Sequence, residues 1–358
     1  MKATQSLHNL GQSLWLDNIT REMLANGTLA RYIAELSVTG LTSNPTIFEH
    51  AIGGGSFYDD AIADLARQGE SGEELFFTLA LQDLTQAADL FRPVHDATGG
   101  VDGWVSLEVS PLLADDTAKT VHAAAKLHAA AARPNLYIKI PGTPAGIPAI
   151  EESIYAGVPI NVTLLFSREH YMAAAEAYLR GLERRVSAGL SPDVRSVASL
   201  FVSRWDKATL EKLPATLRNK LGIAVGQQCF RAYRQLMATD RWQRLMNLGA
   251  RPQRLLFAST GVKDPSAPDT MYVSALAAPN TVNTMPEETL LAFADHGALS
   301  GALTPDGGNC DQVLASIAAA GVDIAALAAQ LQTDGAESFN ASWKNLLKSI
   351  ETKSKALK

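Results

Sequence analysis

Short apolar runs alternate along the chain with stretches whose apolar residues recur every three to four positions. The runs cover 14–19, 38–41, 104–109, 136–140, 159–166, 197–202, 255–258 and 281–285. Their length and their bounding Gly, Pro and Asn residues predict eight strands. Helical spacing predicts helices over 28–36, 73–91, 115–132, 147–155, 168–186, 217–237 and 287–296. Strand followed by helix, repeated, means parallel strands joined by right-handed crossovers. Eight such units without a GxGxxG turn predict an α/β chain folded as a (β/α)8 barrel, the TIM barrel, whose body needs about 250 residues. The chain has 358, so the surplus is expected in extra helices. One falls before the third strand, and another, over 324–348 or beyond, caps the C-terminus with a lysine-rich end. No repeat, low-complexity tract or linker divides the chain, so one domain is expected over 1–358, with 322–358 as a C-terminal helical extension. The second strand is brief, and 214–248 reads as two or three helices.

Composition narrows the choice of partners. An apolar fraction of 47% is that of a globular chain with a sizeable core. The formal charge of -6, with both signs interspersed, provides no basic face for nucleic acid and no patch for a membrane surface. No signal-peptide core or membrane-length apolar run is present, so a cytoplasmic protein is expected. Cys229 and Cys310 are far apart without a CxxC partner or a histidine cluster, which points to structural thiols and not to a disulfide or zinc site. The Asn161-Val162-Thr163 sequon falls within a predicted strand and reads as a chance match. Gly53-Gly54-Gly55 lacks a P-loop lysine and is expected to be a flexible loop.

One strand carries a charge where none is cheap. Lys139 stands between Ile138 and Ile140 in the fourth run. Desolvating an ammonium costs several kcal/mol or lowers its pKa, and a free amine in a dry pocket attacks carbonyls to form Schiff bases. The other reading is a strand-end lysine that snorkels to water or pairs with a carboxylate. In a barrel, chemistry sits at the carboxyl ends of the strands. The polar residues there are Asp17, Thr42 with Asn44, Glu108, Lys139, Asn161 with Thr163, Ser199 with Arg204, Ser259 with Lys263, and Asn283. Asp17 and Asn44 also suit helix or turn caps, and Glu108 suits a structural partner for Lys139. Asn161 and Thr163, two apart, share one face of their strand.

These segments carry a resemblance. WLDNI at 15–19, GLTSNPTIF at 40–48, SLEVSP at 106–111, YIKIPGT at 137–143, INVTLLFS at 160–167, SLFVSRWDK at 199–207, FASTGVKDP at 257–265 and NTVNTMP at 280–286 resemble, in order, the transaldolase family in its longer bacterial form. The resemblance implies a Schiff-base transferase of the pentose phosphate pathway. It would move a dihydroxyacetone unit from sedoheptulose 7-phosphate or fructose 6-phosphate to an aldose phosphate, glyceraldehyde 3-phosphate or erythrose 4-phosphate, with no metal or organic cofactor.

Carried over by residue, the resemblance implies that Lys139 attacks the donor carbonyl and that Glu108 is the acid/base working through a water held with Thr163. Asp17 would take the proton of the C4 hydroxyl, while Thr42, Asn44, Asn161 and Ser199 would hold the three-carbon unit. Arg204 stands in the FVSR position expected to bind phosphate, with Ser259 beside it. Where shorter members have an arginine two residues after that serine, this chain has Gly261, and Lys263 is the nearest cation. Two other readings use the same residues: a class I aldolase releasing free dihydroxyacetone, and a barrel that binds sugar phosphates without catalysis. Sugar phosphates are the expected partners, and a homo-oligomer is compatible with the sequence.

Overall fold

The computed structural model describes residues 2–357. Eight parallel strands form the barrel: β1 (Ser13–Leu16), β2 (Val38–Leu41), β3 (Val105–Glu108), β4 (Leu136–Pro141), β5 (Ile160–Leu165), β6 (Ser196–Phe201), β7 (Gln253–Ala258) and β8 (Val282–Met285). Their order is β2-β1-β8-β7-β6-β5-β4-β3. The expected (β/α)8 architecture is therefore present, with strand ends within a few residues of those predicted. The largest difference is β1, which stops at Leu16, although the Asp17 amide still donates to Met285 O at 2.8 Å.

The ring closes between β2 and β3 through few contacts. Gly40 bridges Trp104, the Leu41 amide donates to Trp104 O at 2.9 Å, and the Gly103 amide donates to Thr39 O at 2.7 Å. A Cβ on Gly40 would lie 2.7 Å from both Trp104 O and the Trp15 indole. The seam closes because position 40 has no side chain.

The lumen is filled in layers. At the amino-terminal end the Arg254 guanidinium donates to Asp102 Oδ1 at 3.2 Å and Thr281 O at 2.8 Å, and Ser13 Oγ donates to Asp102 Oδ2 at 2.9 Å. Above this ion pair, Tyr137 stacks on Trp104 with ring centroids 4.0 Å apart and leans on Trp15 at 6.1 Å. Such aromatic pairs add about 0.5–1.5 kcal/mol beyond the area they bury. The floor beneath the carboxyl-end mouth is thus solid.

Several helices depart from the spacing-based expectation. Gly72–Ala97 runs on through Pro93; the carbonyl that the proline leaves unpaired belongs to Asp89, an exposed residue, where water can satisfy it. The region from 214 resolves into Leu221–Met237 and Asp240–Asn247, the second capped by Thr239 Oγ1 accepting from the Trp242 amide at 3.3 Å. The triple glycine is not a free loop: Gly53 ends the helix Pro45–Gly53, and Gly55 O accepts from Lys353 Nζ at 2.6 Å.

The C-terminal helix, Ile324–Ala356, crosses the carboxyl end of the barrel. Trp343 wedges against Phe76 and Phe77 with centroids at 4.9 and 5.6 Å, its indole N–H donating to Glu73 Oε1 at 3.0 Å. Cys229 and Cys310 are buried and unbridged. Among the described residues no single helix is long and apolar enough to cross a membrane.

The seam yields a stability test. Gly40→Ala forces backbone or the Trp15 ring to move, and such overpacking costs about 1–3 kcal/mol. Urea unfolding should show a lower midpoint at unchanged slope; an unchanged midpoint would show that the seam tolerates a side chain.

Candidate active site

Parallel pairing sets the core of the site. Glu108 on β3 pairs in register with Lys139 on β4, which pairs with Asn161 on β5. Residues at one level of neighbouring strands point to the same side, so all three side chains meet inside the barrel. Lys139 Nζ lies 3.0 Å from Glu108 Oε2 and donates to Ser43 O at 2.8 Å. The Lys–Glu approach is an ion-pair contact outside hydrogen-bonding angles. Lysine and glutamate are each 5% exposed; Lys139 lines the cavity at the mouth, whereas Glu108 lies behind it and does not. Lys139 pairs with a carboxylate, as one of its two readings expected, and it also faces a cavity.

That cavity, about 340 Å³, opens at the carboxyl ends of the strands. Asp17, Thr42, Asn44, Lys139, Thr163 and Ser199 line its inner part, and Arg204, Ser259 and Lys263 its outer part. Burial pushes the Glu108 carboxyl above its usual range, with the Lys139 charge pulling it back and Asp17 adding to the rise. Burial likewise raises Asp17, opposed by Lys139, by the Thr42 hydroxyl and by the more distant Lys263 and Arg204. Thr42 Oγ1 donates to Asp17 Oδ1 at 2.7 Å and lies 2.8 Å from Thr284 Oγ1. A hydroxyl has one proton, so Thr284 must be the donor in the second bond.

The other candidates are distributed with distinct surroundings. Asn44 both lines the cavity and caps the helix Pro45–Gly53, its Oδ1 accepting from the Ile47 amide at 3.0 Å. Thr163 Oγ1 is buried without a hydrogen-bond partner among the described residues. Asn161 has no exposure and does not line the cavity; its Oδ1 accepts from Ser199 Oγ at 2.7 Å and its amide donates to Ser106 Oγ at 3.1 Å. It therefore orients Ser199 from below. Asn283 also stays outside the cavity, with its Oδ1 accepting from Thr260 Oγ1 at 3.0 Å. Its neighbour Thr284 faces in, and the strand alternation that selects it depends on which parity of β8 meets the lumen.

At the outer end, the Arg204 guanidinium carbon lies 5.0 Å from the Phe201 ring centroid and 5.8 Å from that of Phe339. Arg204 makes no hydrogen bond or ion pair among the described residues. A Cβ built on Gly261 would stand 3.6 Å from Lys263 Nζ. The lysine amine thus folds back over the position at which the resemblance leads one to expect an arginine. Phe201, Thr284, Ser338 and Phe339 are lining residues that the strand-end pattern does not reveal. A second cavity, about 460 Å³, opens at the opposite end beside Arg195, Arg234 and Arg251, away from Lys139. Among the described residues, no three His, Cys, Asp or Glu side chains cluster as a metal site.

The profile of the family described as Transaldolase/Fructose-6-phosphate aldolase matches residues 14–350. The chain belongs to that family. Its relatives include a protein named Transaldolase from Parafrankia sp. (strain EAN1pec), 45% identical over 358 residues, with 98% of this chain and 97% of the relative covered. One of the same name from Frankia alni is 46% identical, with 95% and 94% covered, and one from Thermobifida fusca is 45% identical, with 96% of each covered. The matched segment contains every strand-end residue described above.

The raised carboxyls have a consequence for stability. A carboxyl whose folded pKa exceeds its unfolded one binds its proton on folding, so its contribution is full below the ordinary value of 3.8 and is lost as pH rises through the raised one. Asp17→Asn, which can still accept from Thr42, should therefore unfold at higher temperature than the unmodified protein at pH 8. The gap should shrink toward zero as the pH falls to about 4. Thermal unfolding across pH checks this, and a less stable variant at pH 8 would mean that the surrounding cations outweigh burial.

Proposed function

We propose that this enzyme transfers a dihydroxyacetone unit between sugar phosphates through a Schiff base on Lys139. The observation that carries the reading is that Lys139 lines a cavity whose wall includes Asp17, with Glu108 behind it at 3.0 Å. The names of the relatives, all Transaldolase, support transfer between sugars as the overall reaction.

In the proposed sequence, the Lys139 ammonium gives up a proton to the Glu108 carboxylate 3.0 Å away, and its nitrogen adds to the C2 carbonyl of the ketose phosphate. Glu108, whose carboxyl burial pushes above its usual range, protonates the departing hydroxyl through a water held with Thr163. Water leaves, and a protonated imine remains. Asp17 takes the proton of the C4 hydroxyl, the C3–C4 bond breaks, and its electrons pass into the imine as an enamine. An aldose phosphate departs. The enamine then adds to the carbonyl carbon of an incoming aldose phosphate, Asp17 returns the proton to the new hydroxyl, and water releases the lengthened ketose. Asn44 and Ser199 are suited to hold hydroxyls of the retained unit, with Asn161 fixing Ser199. Arg204, Lys263 and Ser259 are suited to receive phosphate, Arg204 through its planar fork and Lys263 as a point charge.

Borohydride reduction in the presence of fructose 6-phosphate should label Lys139 alone; label on Lys207 or Lys263, or none, would remove the mechanism. Replacing Glu108 by Gln should slow trapping about 10²- to 10⁴-fold. Asp17→Asn should still be trapped yet release no aldose phosphate. With erythrose 4-phosphate present, the intact enzyme should form sedoheptulose 7-phosphate with little free dihydroxyacetone. Release of dihydroxyacetone at a rate indifferent to the acceptor would favour the aldolase reading instead.

A further inference from the structure

We infer that one face of the C-terminal helix, formed by Gln332, Gly335 and Phe339, is a positioning element of the active site: Gln332 holds the backbone that carries Thr163, and Gly335 with Phe339 orients the Arg204 guanidinium. The inference rests on the roles proposed for Thr163 and Arg204. The three residues, spaced three and four apart, lie on the same side of the helix.

Gln332 spans the ends of two catalytic strands. Its side-chain amide nitrogen donates to Leu164 O at 2.9 Å and to Gly142 O at 3.1 Å, one proton for each. Leu164 follows Thr163 directly and has φ +58°, a left-handed conformation that is strained for a branched side chain. It also sits at an irregularity: β5 advances three residues from Val162 to Leu165 while its partner β6 advances two, from Ala198 to Leu200. An extra residue of this kind re-aims the side chains around it. The Gly142 amide donates to Thr163 O at 2.7 Å, so the bond to Gly142 ties the end of β4, which bears Lys139, to the same strained segment. A strained turn persists only where its surroundings hold it, and Gln332 supplies one bond to the turn itself and one to Gly142, whose amide holds Thr163 O.

Gly335 and Phe339 act on the cation. A Cβ on Gly335 would approach Leu164 Cδ2 to 2.9 Å and Arg204 Nη1 to 3.0 Å. A glycine inside a helix is unfavourable relative to alanine, and here it lets the helix lie against the strained turn and the guanidinium together. Phe339, one helical turn on, brings its ring to 5.8 Å from the Arg204 guanidinium carbon. Among the described residues no carboxylate comes within ion-pair distance of Arg204, though Asp17 and Asp334 act on it from farther off, and the aromatic rings and the helix backbone flank its fork. Its N–H groups remain available for an anion.

The test uses borohydride trapping with two probes, fructose 6-phosphate and dihydroxyacetone, which lacks phosphate. Phe339→Leu should raise the half-saturating fructose 6-phosphate concentration about tenfold or more and leave dihydroxyacetone trapping within about twofold, whereas Gly335→Ala, which presses on Leu164 as well as Arg204, should raise that concentration similarly and also slow trapping of both probes. Phe339→Tyr, which keeps the ring, should restore the wild-type value. Gln332→Ala should slow the trapping rate constant for both probes about tenfold while the final labelling stays at one lysine per chain. A merely structural role would lower the labelled fraction and leave the half-saturating concentration and the rate constant unchanged; that outcome, or wild-type behaviour, overturns the inference. Arg204→Ala separates it from the underlying reading. If that variant leaves fructose 6-phosphate saturation unchanged, the phosphate site itself is misassigned. If Arg204→Ala weakens saturation but Gly335→Ala and Phe339→Leu do not, only the helix's role fails.

Discussion

A lysine ammonium buried at the mouth of a barrel needs counter-charge and acceptors, and most of the site can be traced to meeting that need. Glu108 supplies the charge from the neighbouring strand and Ser43 O the hydrogen bond. Ser43 in turn donates to Ser106 O at 2.7 Å, tying the loop after β2 to β3 close to the seam where the ring is thinnest. Removing one partner of such a pair strands a buried charge, which costs more than the pair itself contributes. Burial also holds the Glu108 and Asp17 carboxyls above their usual range, with the Lys139 charge pulling both back.

The lumen beneath separates two chemistries. Trp15, Trp104 and Tyr137 form an aromatic layer between the mouth and the Arg254–Asp102 pair at the other end. Above it, Ser106, Asn161 and Ser199 make a short hydrogen-bonded chain whose last hydroxyl borders the cavity. Polar groups so enclosed hold one geometry because any other leaves them unsatisfied. The upper rim is softer: Arg204 and Lys263 have no carboxylate partner among the described residues, and aromatic faces and a folded-back lysine stand where a rigid salt bridge would block anions.

Apolar alternation, strand count and polar strand ends were legible in the amino-acid sequence because they follow from local rules: side chains alternate along a strand, crossovers have one hand, and barrel chemistry gathers at one end. Asp17, Glu108, Lys139, Thr163 and Ser199 could be found that way, and the order of the motifs pointed to the family. Tertiary structure decided matters that depend on which distant segments meet. It turned Thr284 inward and Asn283 away, placed Asn161 under the floor, and made the triple glycine the end of a helix. Above all it laid Ile324–Ala356 across the mouth, so that Gln332, Gly335 and Phe339 reach residues more than a hundred positions earlier in the chain. No local periodicity encodes that contact; it arises because the helix's inward face finds its complement only once β5 and β6 are in place.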